Sequence, residues 1–530
     1  MIKILITDKL AKEGIDLLKT IKDVEPVVKT GISPEELISI IGEYDGLIVR
    51  SETKVNAKVL EKPGKLRGIA RAGAGVDNID VPTATKKGIL VMNTPGGNTL
   101  SAAEHTMAMM LSMCRHVVPA CTKLKGGEWD KKSFMGNQLN KKVLGIIGLG
   151  RIGMAVAKMS TGFNMKILGY DPVSVPPNAE KLGIEITDNL EKIFREADII
   201  TVHVPKNEQT LNMIGEAQFK MMKPTTKIIN CARGGIINED ALYDALENKT
   251  IAAAAIDVFT EEPPVKNKRY EKIPNLLVTP HLGASTAEAQ VEVAVEAAQI
   301  LADYLKTGVI KNAVNAPSTG ESTPPVVDAY ATMAKRIGML VSAMSGGQIK
   351  KLDLQYRGSI AEHSVGMVTS SFLIGLLQSS SEDTVNMVNA PALAKERGIS
   401  VDVIKNLEAK NVASGFGVIA TTAKGTCSFT GTVFNDKIMR IIEINGFHVE
   451  MTPADNAMII LNDDKPGVIG AVGTVLGKHG INIQTMGVGQ KTAEKKAVLA
   501  FSLDAMPDDK TVKDIKGLDF VNELFICKLS

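Results

Sequence analysis

The feature that most constrains the fold is the glycine-rich segment GLGRIG at positions 148–153. It follows an apolar run, Val143–Ile147, and precedes a helical pattern, so the glycines occupy a strand-to-helix turn. Gly148 permits the tight turn, Gly150 lets a ligand approach the backbone, and Gly153 lets the helix lie close to the sheet. The N-terminus of such a helix offers free N–H groups and partial positive charge to phosphates. The segment therefore predicts a parallel α/β domain that binds a dinucleotide.

An acidic residue follows this fingerprint at the spacing that nucleotide selection requires. Asp171 comes directly after the next apolar run, Lys166–Tyr170, about 20 positions later. A carboxylate at this place accepts hydrogen bonds from the adenosine ribose hydroxyls and repels a 2′-phosphate. No Arg or Lys follows closely enough to attract that phosphate. The sequence therefore predicts NAD, rather than NADP, as the cofactor.

Apolar runs alternate with helical patterns from the N-terminus to about residue 286, which predicts two doubly wound, Rossmann-like α/β domains. A chain of 530 residues is too long for one core and should hold three or four domains. The helical pattern Ala287–Leu305 is expected to cross back to the first domain and make it discontinuous. The predicted boundaries are 1–97 with 287–317 for the first domain, and 98–286 for the second.

The sequence changes in character after Ala316–Pro325, which reads APSTGESTPP and predicts a linker. Residues 318–455 mix strand-like alternation at Ile349–Tyr356 with helices and with Gly/Thr-rich turns at Ala413–Gly431, which indicates an α+β domain. Residues 456–530 show the order strand, helix, strand, strand, helix, strand. This βαββαβ order is the ferredoxin-like plan.

Composition excludes several classes of protein. The formal charge of +2 is nearly neutral for this length, so neither nucleic acid nor a membrane surface is expected as a partner. The N-terminus lacks a basic stretch before a long apolar core, and the longest apolar runs fall short of about 18–20 residues, so neither a secretory signal nor a membrane span is expected. The five cysteines are scattered without metal-ligand spacing, which is typical of reduced thiols in a cytoplasmic protein. No metal site is predicted.

Three successive apolar strands of the second domain end in residues that can carry chemistry. Arg233 follows the first, Glu261 and Glu262 follow the second, and His281 follows the third. Ligands of open α/β sheets bind at such carboxyl ends of strands. A guanidinium matches a carboxylate bidentately, and a histidine with an ordinary pKa of about 6.5 suits the removal of a hydroxyl proton. With a cofactor that accepts hydride, this set predicts the oxidation of a 2-hydroxy acid.

These segments resemble those of the D-isomer-specific 2-hydroxyacid dehydrogenase family over roughly residues 1–317. The resemblance implies that Arg233 holds the substrate carboxylate and carbonyl, that Glu262 supports the histidine, and that His281 exchanges the proton. Glu262 is preferred to Glu261 because the family's glutamate directly precedes a proline. The resemblance also implies cofactor contacts beyond the glycines and Asp171, namely Ala74, Arg151, Ile152, Val204, Cys231, Ala232, Asp257, Gly283 and Ala284.

The N-terminal segments and the two additional domains resemble the long, three-part branch of the family, which oxidises 3-phospho-D-glycerate to 3-phosphooxypyruvate in the first step of serine synthesis. The implied substrate contacts are Arg50, Ser51, Thr53, Gly73, Gly75 and Asn98. Charge and hydroxyl donors at 50–53 suit a phosphate, and Lys131 and Lys132 would add positive charge from a neighbouring subunit. Ala74 departs from the hydroxyl residue often found there, which removes one side-chain contact.

Two other functions remain open on sequence alone. The same machinery serves a reductase of hydroxypyruvate, glyoxylate or 2-oxoglutarate. A nonenzymatic NAD-sensing regulator can also retain the three catalytic residues. Arg50 and the C-terminal sensor domain favour the phosphorylated acid.

The last domain resembles an ACT domain, a small-molecule sensor common in amino-acid metabolism. The resemblance implies that Asn462, Asp464 and Asn482 bind L-serine across a dimer of such domains, although Asn462 stands where relatives carry His or Tyr. Residues 318–455 resemble the intervening domain of the long branch, either an anion-binding unit with Arg440 as a candidate contact or a spacer. Family members pair through the cofactor domain and again through the ACT domain, which implies a homotetramer.

Overall fold

The computed structural model describes residues 1–173, 175–319, 323–382, 384–408 and 412–529. Within the predicted linker 316–325, residues 320–322 lie outside the described part of the chain. Across the described residues, no helix has both the length and the apolar character needed to cross a membrane. Four sheets follow one another along the chain and confirm the predicted fold class.

The first sheet is parallel throughout. Its strands are β1 (Ile2–Ile6), β2 (Val24–Val28), β3 (Gly46–Val49), β4 (Gly68–Arg71) and β5 (Leu90–Asn93), in the order β2-β1-β3-β4-β5. The helices between them are α1 (Lys12–Thr20), α2 (Pro34–Ile40) and α3 (Val81–Lys86). The sequence pattern did not indicate β2. Its Glu25 and Pro26 are untypical of a strand, and they are tolerated because β2 lies at the sheet edge.

The second sheet has seven parallel strands. They are β6 (Val143–Ile147), β7 (Lys166–Tyr170), β8 (Ile184–Ile186), β9 (Ile199–Val202), β10 (Lys227–Asn230), β11 (Ala253–Ile256) and β12 (Leu276–Val278). Their order is β12-β11-β10-β9-β6-β7-β8, so the connection reverses direction between β6 and β9. The associated helices are α4 (Thr99–Arg115), α5 (Val117–Lys125), α6 (Arg151–Thr161), α7 (Leu190–Glu196), α8 (Glu216–Met221) and α9 (Glu239–Glu247). The carboxyl ends of β6, β9, β10, β11 and β12 therefore meet at one edge, where ligands of such sheets bind.

Two helices connect the first two sheets. Helix α4 carries the chain from β5 to the second sheet, and α10 (Ala287–Thr307) returns it to pack against α1 and the strands β3–β5. Ala294 and Ala298 bury one face of α10, which allows a close approach to α1 at Gly14. The two connecting helices are joined where they begin, because Ser101 Oγ lies 2.7 Å from Oγ1 of Thr286, the N-cap residue of α10.

The third sheet is mixed. The elements of this region are α11 (Pro325–Met344), β13 (Ile349–Gly358), α12 (Gly366–Leu377), α13 (Ala390–Glu396), β14 (Ser400–Asn406), β15 (Ser414–Thr422), β16 (Gly425–Phe434), β17 (Ile438–Ile444) and β18 (Phe447–Met451). The strand order is β14-β13-β15-β16-β17-β18, and only the β13–β14 pair is parallel. The prediction of turns at Ala413–Gly431 was wrong, because this segment forms β15 and β16. Its glycines alternate with Phe416 and Val418, which face the core.

The fourth sheet has the ferredoxin-like plan. Its elements are β19 (Asn456–Asp463), α14 (Val468–Lys478), β20 (Ile483–Lys491), β21 (Lys496–Leu503), α15 (Asp509–Lys516) and β22 (Val521–Lys528), with strand order β20-β21-β19-β22. One face of the sheet packs against its own two helices. On the other face, Ala457, Ile459, Val498 and Ala500 belong to the same hydrophobic core as Val449 and Met451 of β18. The third and fourth sheets therefore share one continuous core.

Candidate active site

The fingerprint glycines meet three different steric demands. Gly148 has φ 98°, and a Cβ atom there would lie 2.6 Å from the carbonyl oxygen of His203. A Cβ atom at position 153 would collide with the carbonyl oxygen of Gly148. By contrast, apart from its two chain neighbours, no atom of the described residues lies within 4 Å of the Cβ position of Gly150, which is the N-cap residue of α6. The turn is therefore closed against the sheet and open at the helix N-terminus, as a bound pyrophosphate requires.

Asp171 lies next to this turn. Its Oδ2 accepts the N–H of Leu149 at 2.9 Å, and its Oδ1 accepts the N–H of Val173 at 2.9 Å. These bonds hold the carboxylate beside the fingerprint, where it can meet the adenosine ribose of NAD. Of the neighbouring predicted contacts, Arg151 is exposed in the first turn of α6, and Ile152 packs against the apolar core below it. The residues present thus fit an NAD molecule.

His281 and Glu262 form a hydrogen-bonded pair. His281 Nδ1 lies 2.7 Å from Glu262 Oε2, and Glu262 Oε1 accepts the N–H of Phe259 at 3.1 Å. Partial burial raises the pKa of Glu262, but the hydrogen bonds from His281 and Phe259 outweigh it, so the pKa lies below its ordinary value. Glu261 instead pairs with Lys266 at 2.8 Å. Geometry therefore favours Glu262 as the partner of the histidine.

Asp257 fixes the loop that carries His281. Its buried carboxylate accepts the N–H of Leu282 at 2.7 Å and that of Gly283 at 2.8 Å, and the hydroxyl of Thr279 donates to it at 2.6 Å. The carbonyl oxygen of Asp257 accepts the N–H of His281 at 2.8 Å. These hydrogen bonds are all internal to the protein, so Asp257 holds this loop in place from within the domain.

Arg233 extends across the cleft to the first domain. Its Nε donates to Asp77 Oδ2 at 3.1 Å, and its Nη1 donates to the carbonyl of Ala232 at 2.7 Å. A Cβ atom at position 75 would collide with the guanidinium as it lies in this structure. The backbone at Gly75 and the guanidinium of Arg233 are therefore close enough to bind one small anion together.

Arg71 is a candidate substrate residue that the sequence analysis missed. It ends β4, and its guanidinium packs so closely on Gly73 that a Cβ atom there would lie 2.5 Å from Nη1. Its Nε is buried without a hydrogen-bond partner among the described residues. Burial, and then the nearby charges of Arg233 and Arg50, lower the pKa of Arg71 to about 10. The same strand-end criterion that selected Arg233 would have found Arg71.

Asp8, also missed, organises the loop at positions 50–53. This buried carboxylate, one residue beyond Thr7 at the carboxyl end of β1, accepts the N–H groups of Arg50 and Thr53. The hydroxyl of Thr53 also donates to Asp8, so it is already engaged within the protein. Ser51 is exposed at the tip of the loop. The loop thus presents Arg50, rather than two hydroxyls, as its strongest anion-binding group.

The remaining predicted substrate contacts lie around the start of α4. Gly73 donates its N–H to Thr94 Oγ1 at 2.7 Å, and the carbonyl of Ala74 accepts the side-chain amide of Asn93. Asn98 occupies the N-cap position of α4, and its Oδ1 is buried without a partner among the described residues. A buried acceptor left unpaired is costly, and a substrate hydroxyl would satisfy it.

The other predicted cofactor residues lie at the same edge of the second sheet. Val204 follows β9 and reaches to within 2.9 Å of the Cβ position of Gly148. Cys231 and Ala232 follow β10, and burial raises the pKa of the Cys231 thiol to about 12. The loop after β12 contributes Gly283 and Ala284. Lys131 and Lys132 are exposed beyond α5.

The predicted effector residues do not meet within one chain. Ile483 at the start of β20 pairs with Leu503, which also pairs with Asn456 at the start of β19. Asn482 directly precedes β20, whereas Asp464 directly follows β19, so the two lie at opposite ends of the sheet. A site that uses both requires a second chain. Beside Asp464, the side-chain Oδ1 of Asn462 is buried and unpaired among the described residues.

Arg440, the candidate anion contact of the intervening domain, pairs with Glu450 at 3.3 Å.

Three parts of the chain match known domain families. Residues 107–283 match the NAD-binding domain of the D-isomer specific 2-hydroxyacid dehydrogenases. Residues 326–445 match the intervening domain of D-3-phosphoglycerate dehydrogenase, and residues 457–520 match the ACT domain. These matches confirm the predicted NAD-binding and ACT domains.

Similarity to known proteins covers the whole chain. A D-3-phosphoglycerate dehydrogenase of Synechocystis sp. is 40% identical over 530 residues, which cover 100% of this chain and 95% of the relative. One from Methanocaldococcus jannaschii is 40% identical and covers 100% of both. Among solved structures, D-lactate dehydrogenase from Aquifex aeolicus, in complex with NAD and lactic acid, is 27% identical with a TM-score of 0.53, covering 59% of this chain and 100% of that one. The chain therefore belongs to the D-isomer-specific 2-hydroxyacid dehydrogenase family, in the D-3-phosphoglycerate dehydrogenase branch that carries intervening and ACT domains.

Proposed function

We propose that this protein oxidises 3-phospho-D-glycerate to 3-phosphooxypyruvate with NAD, the first step of serine synthesis. The observation that carries the proposal is the convergence of three arginines, since Arg50 and Arg233 lie close enough to Arg71 for their charges to lower its pKa. Asp8 and Asp77 offset only part of this positive charge. The carboxylate and the phosphate of the proposed substrate would each find a guanidinium group, whereas an unphosphorylated hydroxy acid would leave Arg50 and Arg71 without an anion to bind.

The residues divide the work of the reaction. Arg233 binds the carboxylate and the oxygen on the reacting carbon, and Arg50 and Arg71 bind the phosphate. His281 takes the hydroxyl proton, and the Glu262 carboxylate stabilises the charged imidazole that results. Bound NAD supplies the hydride acceptor. The 2.7 Å contact between His281 and Glu262 is the arrangement that such proton transfer needs.

The test is a substrate panel with purified full-length protein. NAD reduction is measured with 3-phospho-D-glycerate, D-glycerate, D-lactate and D-2-hydroxyglutarate. We expect kcat/KM to be highest for the phosphorylated acid. A higher value for any unphosphorylated acid would overturn the substrate assignment, and turnover of none would leave an NAD-binding regulator.

Regulation by L-serine at the ACT domain extends the same proposal. Asp464 accepts a hydrogen bond from the Gln490 amide at 3.1 Å, and its carboxylate is suited to an ammonium group. Asn482 would donate to the carboxylate of the same serine from a partner chain. Exposed apolar side chains around α5, namely Leu124, Trp129 and Met135, favour pairing through the cofactor domain as well. Two such contacts would build a homotetramer.

A further inference from the structure

We propose that His105 is a positioning residue for the reaction, because it fixes the loop that carries His281 by binding the buried carboxylate of Asp257. The inference rests on the proposed function, since it concerns the rate of the same hydride transfer. It assigns a role to a histidine of α4 that does not touch the reacting atoms.

The contacts of His105 define which of its ring nitrogens carries a proton. Its Nε2 lies 3.2 Å from Asp257 Oδ1 and 3.3 Å from Thr279 Oγ1. Because the Thr279 hydroxyl donates its own proton to Asp257, both neighbours present acceptors to the ring. Nε2 therefore donates. The His105 side chain is only 19% exposed, and the carboxylate it meets is completely buried.

The bound carboxylate is the anchor of the catalytic loop. Asp257 accepts the N–H groups of Leu282 and Gly283, the two residues that follow His281. His281 itself has φ 56°, a left-handed conformation that a residue other than glycine keeps only when its surroundings impose it. A donor that holds Asp257 in place therefore holds the backbone of His281 as well.

His105 is one of a row of contacts between α4 and this loop. Ser101, Ala102, His105 and Met109 lie on one face of the helix, since they are spaced by one, three and four residues. Ser101, His105 and Met109 contact Thr286, Asp257 and Thr279 respectively, and Ala102 faces Gly283. Helix α4 also begins at the junction of the two α/β domains. His105 thereby links the connecting helix to the residue that moves the proton.

The charge of Asp257 depends on its donors. Burial disfavours the carboxylate, but the hydrogen bonds from His105, Thr279 and the Leu282 N–H outweigh burial and lower the pKa of Asp257. An apolar side chain at position 105 would remove one donor from a group that water cannot reach. The loop would then be held less firmly, while Arg233 and the glycine turn at 148–153, which belong to other loops of the site, would keep their places.

Two variants and a control test this role by steady-state kinetics on the full chain. In His105→Leu we expect kcat to fall about 10-fold while the KM for the hydroxy acid changes less than about 2-fold. His105→Gln keeps a donor near the place of Nε2 and should recover kcat to within about 3-fold of the parent. Glu104→Gln, exposed on the same helix, should match the parent. The proposal is overturned if the Leu variant keeps the parental kcat, or if the Gln variant loses as much as the Leu variant.

Hydrogen exchange supplies a readout that needs no turnover. The amides of Leu282 and Gly283 should exchange faster in His105→Leu than in the parent or in His105→Gln. Unchanged exchange would overturn the positioning role even in a protein that oxidises no acid at all. If the parent oxidises a different hydroxy acid, the kinetic test runs with that acid. Failure of the proposed substrate is thus distinguishable from failure of the role of His105.

Discussion

His281 Nδ1 and Glu262 Oε2 lie 2.7 Å apart, although they belong to loops that follow different strands. A substitution that keeps the hydrogen bond but removes the charge of Glu262 shows how much that charge contributes to the rate. We expect Glu262→Gln to keep a hydrogen bond to the ring but to lower kcat about 100-fold, because a neutral amide cannot stabilise the charged imidazole. Steady-state NAD reduction measures the change.

The neighbouring Glu261 provides the matched control for this substitution. It pairs with Lys266 on the surface, so Glu261→Gln should keep the parental kcat. Equal losses in the two glutamine variants would contradict the assignment of Glu262 as the partner of His281.

Arg71 should discriminate phosphorylated from unphosphorylated substrates. In Arg71→Gln we expect KM for 3-phospho-D-glycerate to rise about 10- to 100-fold, since a charge-assisted hydrogen bond contributes about 1.5–3 kcal/mol. The kcat/KM for D-glycerate should change less than about 3-fold. A parallel loss with both acids would show that Arg71 supports the fold of the Gly73 loop instead, and a thermal melt of the variant checks that possibility directly.

Asp171 should select the nucleotide through its charge. Asp171→Asn keeps an acceptor for the N–H of Leu149 but loses the charge that repels a 2′-phosphate. We expect the preference for NAD over NADP, measured as a ratio of kcat/KM values, to narrow about 10-fold or more. In Asp171→Ala the turn also loses the acceptor for the N–H of Leu149, so KM for NAD should be higher than in Asp171→Asn. An unchanged ratio in the Asn variant would contradict this role.

His203 should lower the free energy of unfolding as the pH falls below 6.5. Desolvation lowers the pKa of His203 from 6.5 to about 4. Between pH 6.5 and pH 4, the unfolded chain therefore binds a proton at this histidine that the folded chain does not bind. The contribution of His203 to the free energy of unfolding is fully present above pH 6.5 and is lost as the pH falls toward 4. We expect this histidine alone to remove on the order of 2 kcal/mol. His203→Gln, which can still meet the hydroxyl of Thr201, should show a smaller fall in Tm between pH 7 and pH 5 than the parent.

The opposite placement of Asp464 and Asn482 predicts complementation between subunits. Homo-oligomers of Asp464→Ala or of Asn482→Ala should lose inhibition by L-serine and keep their activity. Mixed oligomers contain some interfaces with one intact site, formed by Asp464 of one chain and Asn482 of the other. Inhibition should therefore return in part when the two variants are unfolded and refolded together. No recovery, with inhibition present in a refolded parent, would contradict a site shared between chains.

The sequence predicted most accurately those features that depend on short stretches of chain. The turn at 148–153 is fixed by the steric demands of Gly148 and Gly153, which act within a few residues. The apolar runs likewise located β6 and β7 of the second sheet at their observed bounds, although they did not indicate the short edge strand β8. Because parallel strands bring their carboxyl ends to one edge, the proximity of Arg233, Glu262 and His281 also followed from local pattern.

Features that depend on distant partners were not predictable in this way. Asp8 organises a loop 42 residues away, and no local pattern distinguishes it from an ordinary surface carboxylate. The strand-end position of Arg71 is a local feature, but the charges of Arg50 and Arg233 that give it its importance come from distant segments. The glycines of β15 suggested turns, since a strand with an open, small-residue face lacks the usual alternation of large apolar side chains.

The core shared by the third and fourth sheets has a consequence for how such a chain can change. Ala457, Ile459, Val498 and Ala500 cover Val449 and Met451, so removing the last 75 or so residues would expose an apolar surface rather than a finished domain. The ACT domain is therefore not packed as an independent unit. We expect it to unfold cooperatively with the domain before it.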